Sequence, residues 1–160
     1  MSHEQSQPGK STTRAAWAAA WNGAPLTWWT RVVIGLCGAV LGGLLAVAWS
    51  LSPNPTGRGT HQQLGLPPCA FVTLWDIPCP ACGMTTSWSF LVHGRFLEAC
   101  RANVGGVLLA IIGMACVPIT WYFCIRGVAT RGEWFSLALA ILLLIAGAVA
   151  MVQWIARLPG

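Results

Sequence analysis

The chain has 160 residues, of which 8% are charged and 56% are apolar, and its formal net charge is +5. Soluble domains use charged residues at roughly one position in four, so this composition excludes an ordinary soluble protein. The basic residues form no clustered face, so no nucleic-acid partner is expected. The composition indicates an integral membrane protein whose positive charge suits anionic lipid headgroups.

Residues 1–27 combine Ser, Thr, Gln, Ala and Gly with two isolated tryptophans. They offer too little apolar surface for a core of their own, which predicts a flexible N-terminal tail. Residues 28–160 are then expected to form one membrane domain.

Three segments of that domain carry no charged residue and are long enough to cross a bilayer as helices: residues 32–51, 104–125 and 135–155. Twenty helical residues extend about 30 Å, the thickness of the hydrocarbon core. The ~30 residues before the first segment are too many for the n-region of a cleavable leader, so this segment is expected to stay as an anchor. The sequence predicts an all-α membrane protein with three transmembrane helices.

Residues 52–103 are predicted to form a cysteine-containing loop between the first two spans. Residues 52–68 contain four prolines and three glycines, which favours irregular structure. Two short amphipathic helices are predicted between residues 84 and 103, separated at Gly94 by a left-handed conformation. Neither is apolar enough to span, so both are expected at the membrane interface. Thr85, Thr86, Ser89 and His93 share one face of the first helix, which is expected to contact water or headgroups.

The segment Cys79-Pro80-Ala81-Cys82-Gly83 is the strongest functional signal. A Cys-x-x-Cys turn brings two sulfurs within reach of one partner, so disulfide exchange, metal ligation and a structural staple all remain open. Cys69 could supply a third sulfur, whereas Cys37, Cys100, Cys116 and Cys124 are expected to be small packing residues. The sequence assigns no catalytic group outside these cysteines, because no acidic residue is placed to orient His93.

The first interpretation is a binding or assembly subunit in which Cys69, Cys79 and Cys82 staple the loop to the bundle. Such a subunit would have a membrane-protein partner or self-associate. The second is zinc binding by the same three cysteines, with the site completed most simply by a second protomer. The third is a membrane thiol-disulfide oxidoreductase, in which Cys79 attacks a disulfide and Cys69 is the exchange partner.

The string from Pro78 to Thr85, followed by Leu91-Val92-His93-Gly94 and then Asn103, resembles the domain-of-unknown-function 2752 family. The resemblance covers about residues 64–115. The positions that match the family are Cys69, Cys79, Cys82, Gly83, Thr85, Gly94 and Asn103. The resemblance implies a small multi-pass protein of the bacterial cell membrane, without an established activity.

The basic residues predict an orientation. Lys10, Arg14, Arg31, Arg126 and Arg131 lie before the first span or in the second loop, and Arg58, Arg95, Arg101 and Arg157 lie in the first loop or the C-terminal tail. The positive-inside rule then favours a cytoplasmic N-terminus and an extracytoplasmic loop 52–103.

Topology reporters fused after Thr60 and after Gly132 should therefore report opposite sides of the membrane, with the Thr60 fusion outside. Reports from one side for both fusions would contradict the three-span prediction.

Overall fold

The structure, a computed structural model, describes residues 24–129 and 133–158. In chain order its helices are α1 (Trp28–Ser50), a 3-10 helix (Thr60–Leu64), α2 (Ala70–Trp75), α3 (Met84–Val92), α4 (Phe96–Ala102), α5 (Val104–Arg126) and α6 (Glu133–Ile155). The two-residue strands β1 (Ala24–Pro25) and β2 (Val128–Ala129) pair in antiparallel fashion. Most of the predicted tail lies outside the described residues.

Three helices are long and apolar enough to cross a membrane: α1, α5 and the Phe135–Ile155 part of α6. The predicted all-α class with three spans is therefore confirmed. Helix α1 begins four residues before the predicted boundary, where the Thr27 hydroxyl accepts a hydrogen bond from the N–H of Thr30. With this N-cap the helix starts at Trp28 and Trp29, before the uncharged segment that begins at residue 32.

Helix α5 is the centre of the bundle, because α1 and α6 both pack against it. Small residues allow the close approach on both sides. A Cβ atom at Gly38 would lie 2.5 Å from the Thr120 hydroxyl, and one at Gly105 would lie 2.5 Å from the Cβ of Ala150. In the first turn of α1, the Arg31 guanidinium donates to the carbonyls of Cys124 and Ile125, near the end of α5. These carbonyls would otherwise lack partners.

The loop between α1 and α5 contains more helix than the sequence predicted. The 3-10 helix was predicted as irregular loop, but left-handed glycines, Gly59 and Gly65, bracket it. The Gln63 side chain also pins it to Ser52 by accepting from the backbone N–H and donating to the carbonyl. Helix α2 was likewise not predicted, because six residues are too few to show a helical period.

The predicted solvated face of α3 is wrong for Thr86 and Ser89, which are 1% and 0% exposed. The Thr86 hydroxyl bonds the Thr60 hydroxyl at 2.8 Å, and the Ser89 hydroxyl donates to the Leu51 carbonyl at the end of α1. His93 stacks on Trp49 and bonds the Ser89 carbonyl. The polar face points inward because it meets polar partners there, the Thr60 hydroxyl of the 3-10 helix and the Leu51 carbonyl at the end of α1.

Gly94 separates α3 from α4, as predicted. Its φ of +76° is left-handed, and a Cβ atom there would meet no atom within 4 Å. The backbone conformation alone therefore requires glycine at this position.

Gly94→Leu should destabilise the protein by about 1–2 kcal/mol, the usual cost of a left-handed conformation for a residue with a Cβ atom. Gly147→Ala in α6 is the matched control, because its Cβ atom would also meet no atom within 4 Å but its backbone is helical. Unfolding in detergent should show Gly94→Leu below, and Gly147→Ala at or above, the parent. Equal shifts for both variants would refute the backbone argument.

Candidate metal centre

Three cysteine thiols meet beside the end of the bundle. The Sγ atoms of Cys69, Cys79 and Cys82 all lie within 4.8 Å of one another. All three residues are partly buried, and all seven cysteines are free thiols. The sulfurs that the sequence singled out are thus brought together by the fold, including one ten residues away in the chain.

Local backbone geometry places Cys79 and Cys82 on one side of a turn. The N–H of Cys82 donates to the Cys79 carbonyl at 2.9 Å, and the N–H of Cys79 points back at the Cys82 sulfur at 3.3 Å. The two sulfurs are 3.5 Å apart. Cys69 reaches them from the N-cap of α2.

Gly83 follows this turn and is the N-cap of α3, with a left-handed φ of +84°. A Cβ atom here would lie 2.7 Å from the Ala102 carbonyl oxygen and 2.8 Å from that of Gly57. Glycine is therefore required twice, by the conformation and by the close approach of two other backbone segments. This packing brings the cysteine turn against the end of α4.

Asn103 fastens the turn to the start of α5. Its amide nitrogen donates to the carbonyls of Pro80 and Cys82, each at 3.2 Å, while its amide oxygen caps α5 by accepting from the N–H of Gly106 at 2.8 Å. The residue is 2% exposed. One side chain therefore satisfies both the second spanning helix and the segment between the two cysteines.

The pKa values of the Cys69 and Cys82 thiols are shifted in opposite directions. Burial acts to raise the pKa of Cys69, but the backbone N–H groups of Val72 and Phe71 and the thiols of Cys79 and Cys82 outweigh it and hold the pKa at about 7. Burial, followed by the hydrogen bond with Cys79, raises the pKa of Cys82 to about 12. The cluster therefore readily carries one negative charge but resists a second, unless a cation replaces the protons.

The cluster opens into a cavity of about 640 Å³. Its lining includes the three cysteines together with Asn54, Arg58, His61, Gln62 and Thr85. No acidic residue lines it among the residues that the structure describes. Arg157 lies close enough to be influenced by Arg58 and Cys82: its pKa is lowered by burial and then by Arg58, and Cys82 acts in the opposite direction. Two positively charged groups thus lie near the cluster, Arg58 in the cavity lining and Arg157 within electrostatic reach of Cys82.

The other candidate residues occupy distinct places. Thr85 lines the cavity, and Gly94 lies at the far end of α3. His93 is engaged with Trp49 and Ser89 and is not in the cysteine group. Cys100 packs against a core of Phe90, Ala99, Ala102 and Val107, which fits its expected packing role.

Sequence reasoning missed Arg58 and His61 as neighbours of the cysteines. Both belong to a proline- and glycine-rich stretch with no periodic pattern, and only the fold of that stretch over α3 brings them to the cavity. The one local signal was the pair of glycines, Gly59 and Gly65, which adopt left-handed conformations around the 3-10 helix.

Asn103→Asp should separate the two tasks of Asn103. The carboxylate keeps an acceptor for the Gly106 N–H but replaces a donor by an acceptor facing the carbonyls of Pro80 and Cys82. We expect α5 to remain helical while maleimide labels Cys79 and Cys82 several-fold faster, because the turn loses its anchor.

Asn103→Ala is the comparison variant, since it also loses the cap and should be less stable than Asn103→Asp by about 1 kcal/mol. Labelling rates at the parent level in Asn103→Asp would show that the turn does not depend on this side chain.

A known protein family matches the part of the chain that holds the three cysteines. Residues 69–117 match the model of a family described as "Protein of unknown function (DUF2752)". No curated protein and no solved structure matches the chain. The matched segment begins at Cys69, includes Cys79, Cys82 and Asn103, and ends within α5. The match confirms the resemblance of this membrane protein to the DUF2752 family over residues 69–117.

Proposed function

We propose that the protein is a metal-binding membrane subunit in which Cys69, Cys79 and Cys82 hold a thiophilic divalent ion, zinc above all. The observation that carries the proposal is the convergence of three free sulfurs within 4.8 Å. Zinc binds cysteine thiolates at about 2.3 Å, so the sulfurs of a tetrahedral site lie about 3.8 Å apart. The 3.5 Å between Cys79 and Cys82 is close to that spacing.

A disulfide would bond only two of the three sulfurs, whereas a metal ion would bond all three. A disulfide joins two sulfurs at about 2.05 Å, so any pairing among the three leaves one cysteine over. A metal ion would use all three sulfurs and leave one coordination position open toward the cavity. The staple predicted from the sequence is retained in this proposal, with the ion as the cross-link.

Electrostatics favour the same occupant. Three thiolates and a divalent cation carry a net charge of −1, which in a partly buried site needs a nearby positive group. Arg157 and Arg58 provide it, and Arg157 is held in place by donating to the carbonyls of Ala102 and Arg101. The ion would also replace the thiol protons that the raised pKa of Cys82 otherwise retains.

The role of the bound ion follows from what it joins. Cys69 begins α2, Cys79 and Cys82 precede α3, and Asn103 connects that turn to α5. Metal binding would therefore fix the loop between α1 and α5 on the end of the bundle as a rigid surface. Such a surface suits a binding or assembly subunit of the bacterial cell membrane, with a membrane-protein partner or a second copy.

Thiol-disulfide exchange is the second candidate, favoured by the pKa of about 7 at Cys69. A thiol with a pKa near ambient pH is the most effective attacking group in exchange. In this case Cys69, and not Cys79 as the sequence suggested, would attack a substrate disulfide and form a mixed disulfide with it. The thiolate of Cys79 or Cys82 would then attack the Cys69 sulfur, which leaves a disulfide in the cluster and releases the substrate as a dithiol.

Purified protein should bind one zinc ion per chain. Cys69→Ser, Cys79→Ser and Cys82→Ser should each lower zinc affinity by at least ~100-fold, and the triple variant should lose little more, because the first substitution already breaks the shared site. Cys37→Ser is the control, since Cys37 is exposed on α1 outside the cluster. Competition with a zinc-chelating dye would measure each affinity.

Two results would overturn the metal proposal. Single variants that retain parental zinc affinity would show that the cysteines do not act together. A parent that binds no zinc, but loses two reactive thiols on oxidation and recovers them with reductant, would replace metal binding by thiol-disulfide exchange.

A further inference from the structure

The segment 64–75, which we call the apolar lobe, exposes five large apolar side chains outside the spanning helices. The exposed fractions are 50% for Leu64, 52% for Leu66, 44% for Phe71, 69% for Leu74 and 60% for Trp75. The lobe contains no charged residue. Helix α2, which forms its second half, has no buried residue and packs against none of the other described helices or strands. So much unpaired apolar surface is unfavourable in water.

The chain keeps the lobe close to the ends of the spanning helices. The indole nitrogen of Trp154, in the last turn of α6, donates to the Pro78 carbonyl. Pro78 follows Trp75 by three positions along the chain, which is a reach of at most about 10 Å. A 23-residue helix such as α1 is about 34 Å long, slightly more than a ~30 Å hydrocarbon core. The lobe therefore lies within reach of the headgroup layer.

The aromatic residues of the lobe continue a feature already present at this end of the bundle. Trp49, in the last turn of α1, is 62% exposed. Phe71 and Trp75 are four residues apart on α2, and their rings meet edge to face with centroids 5.1 Å apart. Amphipathic rings at this height are typical of the membrane–water interface.

We propose that the apolar lobe rests in the lipid interface, with Phe71, Leu74 and Trp75 inserted at the boundary between headgroups and acyl chains. The bilayer is the occupant that continuity with the spanning helices supports, because the same membrane that surrounds α1 and α6 lies beside the lobe. The Trp75 side chain also fits this boundary, because tryptophan is enriched at membrane–water interfaces. The lobe, which includes Cys69, is thus a peripheral anchor for the loop that carries the cysteines, and its contact with lipid does not require a bound metal ion.

The test is photo-crosslinking from the lobe in proteoliposomes of phosphatidylethanolamine and phosphatidylglycerol. p-Benzoylphenylalanine replaces Leu74 in one variant and Trp75 in a second, which preserves an aromatic group. Leu36, which is 61% exposed on α1, is the positive control, and Gln62, an exposed polar residue of the 3-10 helix, is the comparison position. Mass spectrometry of the irradiated protein identifies the adducts.

We expect phospholipid adducts at Leu74 and Trp75 in yields near that at Leu36 and several-fold above that at Gln62. Covalent dimers in place of lipid adducts would assign the lobe to contact between two copies and overturn the proposal. Absence of both adducts at Leu74 and Trp75, with lipid adducts present at Leu36, would place the lobe in water and also overturn it.

Discussion

The fold depends on one constraint: the backbone polar groups that are buried at the ends of the spanning helices must find partners inside the protein. Helix ends leave N–H and carbonyl groups unpaired, and burial by the loop between α1 and α5 keeps water from them. In this protein, polar side chains form hydrogen bonds with these backbone groups. Ser89 donates to Leu51 after α1, Asn103 caps α5, and Gln153 on α6 accepts from the N–H of Val104 while donating to the Cys100 carbonyl. The loop between α1 and α5 is therefore part of the bundle.

This constraint also explains the position of the Cys79–Cys82 turn. Asn103 can cap α5 only from one position, and from there its amide nitrogen reaches the carbonyls of Pro80 and Cys82. Gly83 allows that turn to press against the Ala102 carbonyl. Arg157 then covers the end of α4 by bonding the Arg101 and Ala102 carbonyls, and its charge comes to lie near the Cys82 sulfur. The hydrogen bonds of Asn103 and Arg157 thus pair the backbone groups at helix ends, and the same two residues place the cysteine turn and a positive charge next to each other.

The sequence predicted what depends on composition and local pattern. Apolar length located α1, α5 and α6, Gly94 marked the break between two short helices, and the Cys-x-x-Cys spacing identified the thiols. The inward polar face of α3 could not be predicted, because an amphipathic pattern does not say which face meets the core. In a soluble protein the apolar face of such a helix would meet the core. Here Thr86 and Ser89 are buried instead, because they bond Thr60 and Leu51, which lie 26 and 38 residues away in the chain. The cavity also depends on such long-range packing, since Arg58 and His61 reach it from an aperiodic segment.

The central claim is that three cysteines of a single chain form one metal centre. X-ray absorption at the zinc edge, recorded on zinc-loaded protein in membranes, tests it most directly. The account predicts three sulfur scatterers at about 2.3 Å and one lighter nitrogen or oxygen scatterer at about 2.0 Å. Four sulfurs would indicate a site that needs a cysteine from outside the cluster, and a shell of nitrogen and oxygen alone would show that the ion is bound elsewhere. Either result would contradict the account.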